Sequence, residues 1–438
     1  MRGILICTFL LASLSTSFIG CSDGYDDEQT STDGHDIEVP DEPTYYRDIK
    51  PLMDHHCTGC HADEAIAPFS LDDYDDVADV APIALAAMHA ETMPPWPPDD
   101  DCADYRGARQ MVPPEIEIFE RWLDQGMTEG DPDNRPPPAE DEASTQAPDL
   151  VVDTGVDYTP EPPPGDDDDY RCFVVDPDLG EDQFVRSVDT RPGNDELVHH
   201  LIAYTAPREA LDEIDALKSE DDRPGYECFG SPRYDGASMV AGWVPGSERI
   251  PLQEGHGLRV PEDSKLVIQM HYTTLNDPGG SDRSEIDFYF VDKDRHPDPV
   301  ELVIMRLAEL DLFVEAGDSD ATVTAETPLL PKSITLHGIA PHMHLLGTRV
   351  RVEATTGDGE MCLVDVPDWD FHWQGLYLYE QPLELARPSR LKLTCEYDNT
   401  ASNQPDGDEP QDVYWGDESR DEMCVALLVV EVPEEVEW

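Results

Sequence analysis

The residues with the most legible chemistry are six metal-type side chains in a fixed order. His199 and His200 are adjacent, His271 follows alone, His342 and His344 flank Met343, and Met423 comes near the end. In that order they supply three imidazoles for one metal, then two imidazoles and a thioether for a second. Imidazole suits copper, iron, nickel and zinc, whereas a thioether points to soft Cu(I). Two sites of unequal softness imply redox chemistry rather than hydrolysis. His342 and His344 are two apart, so on a strand they project to the same side. His199 and His200 would project to opposite faces of a regular strand, and both reach one ion only through a bulge or a strand end. His337 and His372, nearby in sequence, read as supporting or core histidines rather than ligands.

A different chemistry is written earlier in the chain. Cys57-Thr58-Gly59-Cys60-His61 is a C-x-x-C-H sequence, the covalent attachment site of c-type haem. The two thiols bond the vinyl groups and His61 takes the proximal face of the iron. Residues 44–131 also resemble a class I cytochrome c. That resemblance implies a small all-α domain with a methionine as sixth ligand. Met93, in Met93-Pro94-Pro95-Trp96, is the candidate, with Met88 and Met111 as alternatives. His55, His56 and His89 read as surface residues. Pro113-Pro114 open a run with Ile116, Phe119, Trp122 and Leu123 at helical spacing, and Gly126 closes it. A Met-ligated iron has a raised potential and suits electron transfer.

The elements that must hold these residues are mostly strands. From about residue 147, Leu197 to Ile202, Lys265 to Tyr272 and Ala426 to Val432 are rich in β-branched and apolar residues. Leu391, Leu393, Cys395 and Tyr397 alternate strictly, which buries one face. Gly and Pro clusters separate the runs, and an all-β sandwich pair is the natural reading. Residues 22–43 read as a flexible acidic tether. Residues 132–165, with two Pro-Pro-Pro runs, read as an extended linker, the first sandwich already beginning within it at residue 147.

The chain carries 97 Asp and Glu against 28 Lys and Arg, a net charge of −69. Nucleic acid is thereby excluded as a partner, because phosphate binding needs a basic footprint. The acid excess reads as a heavily solvated surface, as in proteins from salty habitats, with acidic runs that feed copper to the sites as the alternative. Residues 1–20 read as an export signal: Arg2, an apolar run from Ile4, then small residues. Ser17-Phe18-Ile19-Gly20-Cys21 resembles a bacterial lipobox, with Cys21 as a lipid anchor and Phe18 where Leu is usual. An exported protein, periplasmic or an outer-membrane lipoprotein of a bacterium, is the expectation. The remaining cysteines would then meet an oxidising compartment, where disulfides persist.

Across residues 147–433 the chain resembles the copper type II, ascorbate-dependent monooxygenases, the family of peptidylglycine α-hydroxylating monooxygenase and dopamine β-hydroxylase. The resemblance rests on Val198-His199-His200, Gln269-Met270-His271-Tyr272 and Pro341-His342-Met343-His344-Leu345-Leu346-Gly347. It continues through Asp370-Phe371-His372-Trp373-Gln374, Cys395-Glu396-Tyr397-Asp398-Asn399-Thr400 and Asp421-Glu422-Met423-Cys424. It implies two jelly-roll-like β-sandwich domains, 147–295 and 296–433, with one copper in each. His199, His200 and His271 would hold the electron-transfer copper; His342, His344 and Met423 would hold the copper that binds dioxygen. It also implies a Cys395–Cys424 disulfide. Cys172 and Cys228 are a candidate pair, while Cys102 and Cys362 remain unplaced.

The whole reading is a small all-α cytochrome c-like domain followed by two all-β jelly-roll-like sandwich domains. Its expected activity is hydroxylation of a C–H bond of a small organic substrate with O2. Electrons would come from ascorbate or an electron-donor protein through haem c. The alternative is a non-catalytic exported copper and haem carrier. In peptidylglycine hydroxylation the family anchors the peptide carboxylate with an Arg two before the His-X-His, and with an Asn and a Tyr after the Met. Here those positions are Ala340, Val425 and Leu427, which points to a less charged substrate.

Overall fold

The computed structural model describes residues 37–62, 67, 69–99, 101–137, 146–164, 167–244, 249–274, 279–371, 373–416 and 420–431. The expected export signal (residues 1–20), Cys21, most of the expected tether and His372 lie outside them. Residues 39–438 form one compact unit.

Three helices come first: α1 (Lys50–His56), α2 (Tyr74–His89) and α3 (Pro113–Asp124). Asp73 caps α2 by accepting from the Asp76 N–H at 3.1 Å. Pro113 and Pro114 start α3, where the first N–H groups have no helical partner to lose. Tyr45, Ile49, Met53, Phe119 and Trp122 bury one another between them.

Strands follow. The first half contributes β1 (Leu150–Asp153), β2 (Asp168–Val175), β3 (Gln183–Arg191) and β4 (Val198–Ala206). After a short helix α4 (Leu211–Lys218) come β5 (Tyr226–Glu227), β6 (Ser238–Trp243), β7 (His256–Val260), β8 (Lys265–Thr273) and β9 (Glu285–Phe290). The second half has β10 (Val300–Ala308), β11 (Phe313–Val314), β12 (Ala321–Glu326), β13 (Ile334–His342) and β14 (Gly347–Thr356). It ends with β15 (Gly359–Val366), β16 (Tyr377–Leu385), β17 (Arg390–Tyr397), β18 (Val413–Tyr414) and β19 (Val425–Glu431).

These strands make an eight-stranded sheet in the order β1-β9-β3-β7-β10-β19-β13-β16, a five-stranded sheet β5-β2-β8-β4-β6, a four-stranded sheet β12-β17-β14-β15, and the pair β11-β18. The five-stranded sheet packs its apolar face on the first half of the large sheet, around Leu201, Ile268, Met270 and Phe288. The four-stranded sheet packs on the second half, around Val352, Leu393, Leu428 and Val430. Leu391, Leu393, Cys395 and Tyr397 all point into that second core.

The expected architecture is corrected in two respects. First, the two sandwiches are not separate sheets pairs. They share one sheet, joined where β7 and β10 pair in parallel through His256 to Leu258. Second, no all-α cytochrome domain stands apart at the N-terminus among the described residues. The chain is mostly β, with 36 % strand against 15 % helix. The segment between α2 and α3 leaves the helices and is built into the second sandwich. Trp96 and Tyr105 pack in its core, the Tyr105 hydroxyl donates to Leu363 O at 3.0 Å, and Tyr105 bridges to Tyr379 in β16. Cys102 is disulfide-bonded to Cys362 in β15, 260 residues away. The helical periodicity and the C-x-x-C-H sequence are local signals. They say nothing of a loop whose apolar residues find their partners at the far end of the chain.

Cys172–Cys228 and Cys395–Cys424 are the other disulfides. Cys57 and Cys60 stand outside all three. No helix of the described residues is long and apolar enough to cross a membrane.

Candidate metal centre

The five-stranded sheet brings His199, His200 and His271 together. His200 on β4 lies directly across from His271 on β8, and the pairing slips between Val198 and His200. His199 is thus the extra residue of a bulge, which turns it to the side of its neighbour. The Nδ1 atoms of His199 and His200 are 3.3 Å apart, as are those of His271 and His200. Two donors each about 2.0 Å from one ion at a tetrahedral angle would be about 3.3 Å apart. Two of the three pairs therefore already stand at the spacing of ligands around a single ion, and ligand atoms of all three lie within 4.8 Å of one another.

The surroundings favour the neutral form of His200 and His271, the state a metal ligand must have. Burial, then the neighbouring imidazoles, hold His200 well below the ordinary histidine range, and burial does the same for His271. β2 backs the trio. Tyr170 stacks on His271 with ring centroids 4.1 Å apart. Asp168 Oδ1 lies 3.2 Å from His271 Nε2, without hydrogen-bond geometry. Burial raises the Asp168 carboxyl, with His199 opposing the shift.

The second set sits at one end of β13 and β19. The Gln374 side chain donates to Phe371 O at 2.8 Å, so its oxygen accepts from His342 Nδ1. His344 Nδ1 donates to Asp421 O at 3.1 Å. Backbone and amide oxygens only accept, so both Nδ1 atoms carry the proton and Nε2 of each ring keeps its lone pair. The centroids of the two rings are 5.0 Å apart.

Met423 is brought in by register and by one carboxylate. His342 pairs with Val425; continuing that antiparallel register by two residues sets Met423 opposite His344. Glu422 then accepts from the N–H of His344 at 2.9 Å, of Leu346 at 2.7 Å and of Met423 at 3.2 Å. Burial pushes the Glu422 carboxyl up to about 8 against these bonds. The Cys395–Cys424 bridge and the Tyr397 hydroxyl, which donates to Met423 O at 2.8 Å, hold the same corner. Gly347 is needed there, since a Cβ would come within 2.7 Å of Met343 and 2.9 Å of Trp369.

Phe371 links the two sets. Its ring lies 5.8 Å from that of His199, nearly parallel, and 5.9 Å from that of His344, edge to face. One phenyl ring thus touches a histidine of each cluster. Sequence reasoning placed Phe371 in a matching motif without giving it this part. It also missed Arg306. In the large sheet Arg306 on β10 pairs with Leu427, which pairs with Ala340. Because Leu307, Leu428 and Ile339 face the core, Arg306, Leu427, Ala340, Val425 and His342 share the opposite face. A cation therefore stands on that face, one strand beyond Leu427.

The haem-type residues lie elsewhere. Burial pushes the Cys57 thiol up to about 12. His61 Nδ1 lies 3.1 Å from Phe69 O, which can only accept, so Nδ1 carries the proton. Met93 follows α2 and is 38 % exposed, whereas Met88 and Met111 are buried in the helical core. His56 is buried as well, its ring between Arg109 O and Glu115, and is not the surface residue expected.

Residues 319–430 match the family described as copper type II ascorbate-dependent monooxygenase, C-terminal domain. That segment contains β12 to most of β19 with His342, His344 and Met423, and the match supports copper-dependent monooxygenase chemistry in general, with copper and ascorbate. No curated protein matches the chain. Among solved structures, the STIV MCP is similar at 9 % identity over 66 % of this chain and 93 % of that one, with a TM-score of 0.26. The infectious bursal disease virus VP2 subviral particle is similar at 11 % identity over 64 % and 71 %, with a TM-score of 0.19. At such scores neither likeness bears on fold or function.

Proposed function

We propose that the protein is an exported bacterial copper monooxygenase that inserts one atom of O2 into a C–H bond of a small organic substrate. His199, His200 and His271 hold one copper, and His342, His344 and Met423 hold the second. The observation that carries this reading is the pair of facing clusters with Phe371 between them, one of which lies in the matched segment. The balance is R–H + O2 + 2 e⁻ + 2 H⁺ → R–OH + H2O. Bound copper supplies the one-electron redox steps and the affinity for dioxygen.

The chain's own groups set the conditions. Gln374 and Asp421 O fix the two ring tautomers on the C-terminal side, and Glu422 fixes the loop that carries Met423. Phe371 touches a histidine of each cluster, His199 and His344. Ala340, Val425 and Leu427 offer an apolar wall to the substrate, and Arg306 beyond it offers a charge to one end of a longer molecule.

Ascorbate or a donor protein would supply the electrons, and a c-type haem, which Cys57, Cys60, His61 and Met93 would hold, is the proposed way in. Its support is the C-x-x-C-H order, the two cysteines outside the disulfides and the Nδ1-held ring of His61. The short path from Met93 to Trp96 in the second core also favours it. The export-signal pattern of residues 1–20 and the lipobox-like Cys21 support the periplasmic or membrane-anchored location.

Metal and product analysis tests the reading. Two copper ions and one covalent haem per chain are expected, with 18O from O2 in a hydroxylated product when ascorbate is present. Oxygen consumption with no hydroxylated product from any apolar or mixed substrate panel would favour the carrier instead.

A further inference from the structure

Another group of metal-type side chains lies outside both copper sets. His256 at the start of β7, His337 within β13 and Glu431 at the end of β19 offer ligand atoms all within 4.8 Å of one another. Three strands of the shared sheet contribute, one from the first half and two from the second.

The local structure aims them together. Pairing of β13 with both its neighbours slips between Leu336 and Gly338, so His337 is the extra residue of a bulge. Leu336 and Ile339 both face the core, which leaves His337 and Gly338 on the other face. Gly338 has no room for a side chain, since a Cβ would meet Leu378 at 2.7 Å and Tyr377 O at 3.0 Å. Val430 faces the core as well, so Glu431 joins His337 on the outer face. This is the face that carries His342, but the cluster is at the other end, about 15 Å away along β13 at the usual strand rise.

The donor chemistry is that of a ligand set. His256 Nδ1 lies 2.9 Å from Glu254 O, which can only accept, so Nε2 presents its lone pair. Glu254 is itself held by His296 at 3.0 Å. His337 is 5 % exposed, and its Nε2 is buried with no hydrogen-bond partner. Glu431 Oε2 is 3.6 Å from His337 Nε2 and 3.9 Å from His256 Nε2. These gaps are too long for hydrogen bonds but suit donors arranged around one ion. A buried ring nitrogen left without a partner is otherwise unfavourable.

We propose that His256, His337 and Glu431 bind one zinc ion. Two imidazoles and a carboxylate are a set that zinc uses with its fourth position open. No thiolate or thioether is present to favour Cu(I). His337 also lines a cavity of about 200 Å³, together with Glu254, Arg106 and Leu378. The ion ties β7 to β13 and β19 across the short parallel seam that joins the two halves. This proposal is independent of the copper assignment.

The test is equilibrium dialysis of the chelator-stripped full chain against buffered free Zn²⁺, with wild type beside His256→Gln and Glu431→Gln. Both residues are partly exposed at strand ends, so both variants fold. Zinc also enters imidazole sites elsewhere, and the difference between variants is the readout. Each variant is expected to bind one ion fewer per chain than wild type at saturation, and to lose a zinc-dependent rise in the unfolding midpoint. Zinc uptake equal to wild type in either variant overturns the three-ligand site.

Discussion

The two histidine sets differ in how they are held. The trio of His199, His200 and His271 is built from two adjacent strands and a single bulge. Its nitrogens already converge at 3.3 Å, with an aromatic ring and a carboxylate behind them. The set of His342, His344 and Met423 takes its ligands from two strand ends, and polar partners orient each ring: Gln374 for His342, Asp421 O for His344. A tight, all-imidazole cage tolerates both copper states with little movement, which suits electron transfer. A set with a soft sulfur would favour Cu(I), the state that binds dioxygen.

That contrast can be broken by substitution. Removing a cage ligand has the largest expected effect. His200→Ala should lower hydroxylation by at least about 100-fold, since even outer-shell changes at metal sites cost 10–100-fold. Metal analysis should find one copper lost and the other kept; loss of both would show that the sets are not separable. Met423→Leu keeps the volume and removes the soft donor. It should reduce turnover by roughly 100-fold while the trio keeps its copper, and X-ray absorption of the reduced protein should lose its sulfur contribution. Equal spectra in variant and wild type would remove Met423 from the site.

Smaller effects probe the supports. Gln374→Leu frees His342 to rotate and to change tautomer, so copper affinity of the second set should fall by about 10-fold. The trio should be untouched, as competition with a Cu(I) chelator would report. The weakest lever acts beneath the trio. Arg171 on β2 is fully buried and binds Asp221 through two bonds of 2.8 and 2.7 Å. This pairing, with the Arg171 hydrogen bond foremost, holds the Asp221 carboxyl below the usual range. A depressed folded-state value means the stabilisation is full above the unfolded value of about 3.9 and is lost as pH falls below it. Asp221→Asn should destabilise the chain by about 1–3 kcal/mol at pH 7. It should also flatten the decline in urea stability toward pH 3. A variant whose stability falls as steeply as wild type in acid would separate this pair from the acid response.

Much of the candidate site was legible because ligands announce themselves by residue type and spacing. His-X-His on a strand projects to one side, and the order of the six metal-type residues carried a family likeness. Adjacent His199 and His200 demanded a bulge, and β4 has one. The helices around Trp122 were likewise written in Pro113-Pro114 and a 3.6-residue period. What lay hidden was everything that joins distant segments. Nothing near Cys102 points to Cys362. Trp96 and Tyr105 look like part of a helical domain until their partners in β15 and β16 are seen. His337 read as a supporting histidine because its companions, His256 and Glu431, are about 80 and 94 positions away.

By itself, then, the sequence determined the strand-rich character, the two candidate ligand sets and the haem-attachment sequence, since periodicity and donor type are properties of short stretches. Only the tertiary structure decided that both sandwiches share one sheet, that the loop after α2 belongs to the second of them, and that Phe371 stands between the clusters. Those outcomes depend on strand pairing across hundreds of residues. Hydrophobic burial and backbone hydrogen bonding select such pairings from the whole chain at once, and no local pattern encodes which strand will lie beside which.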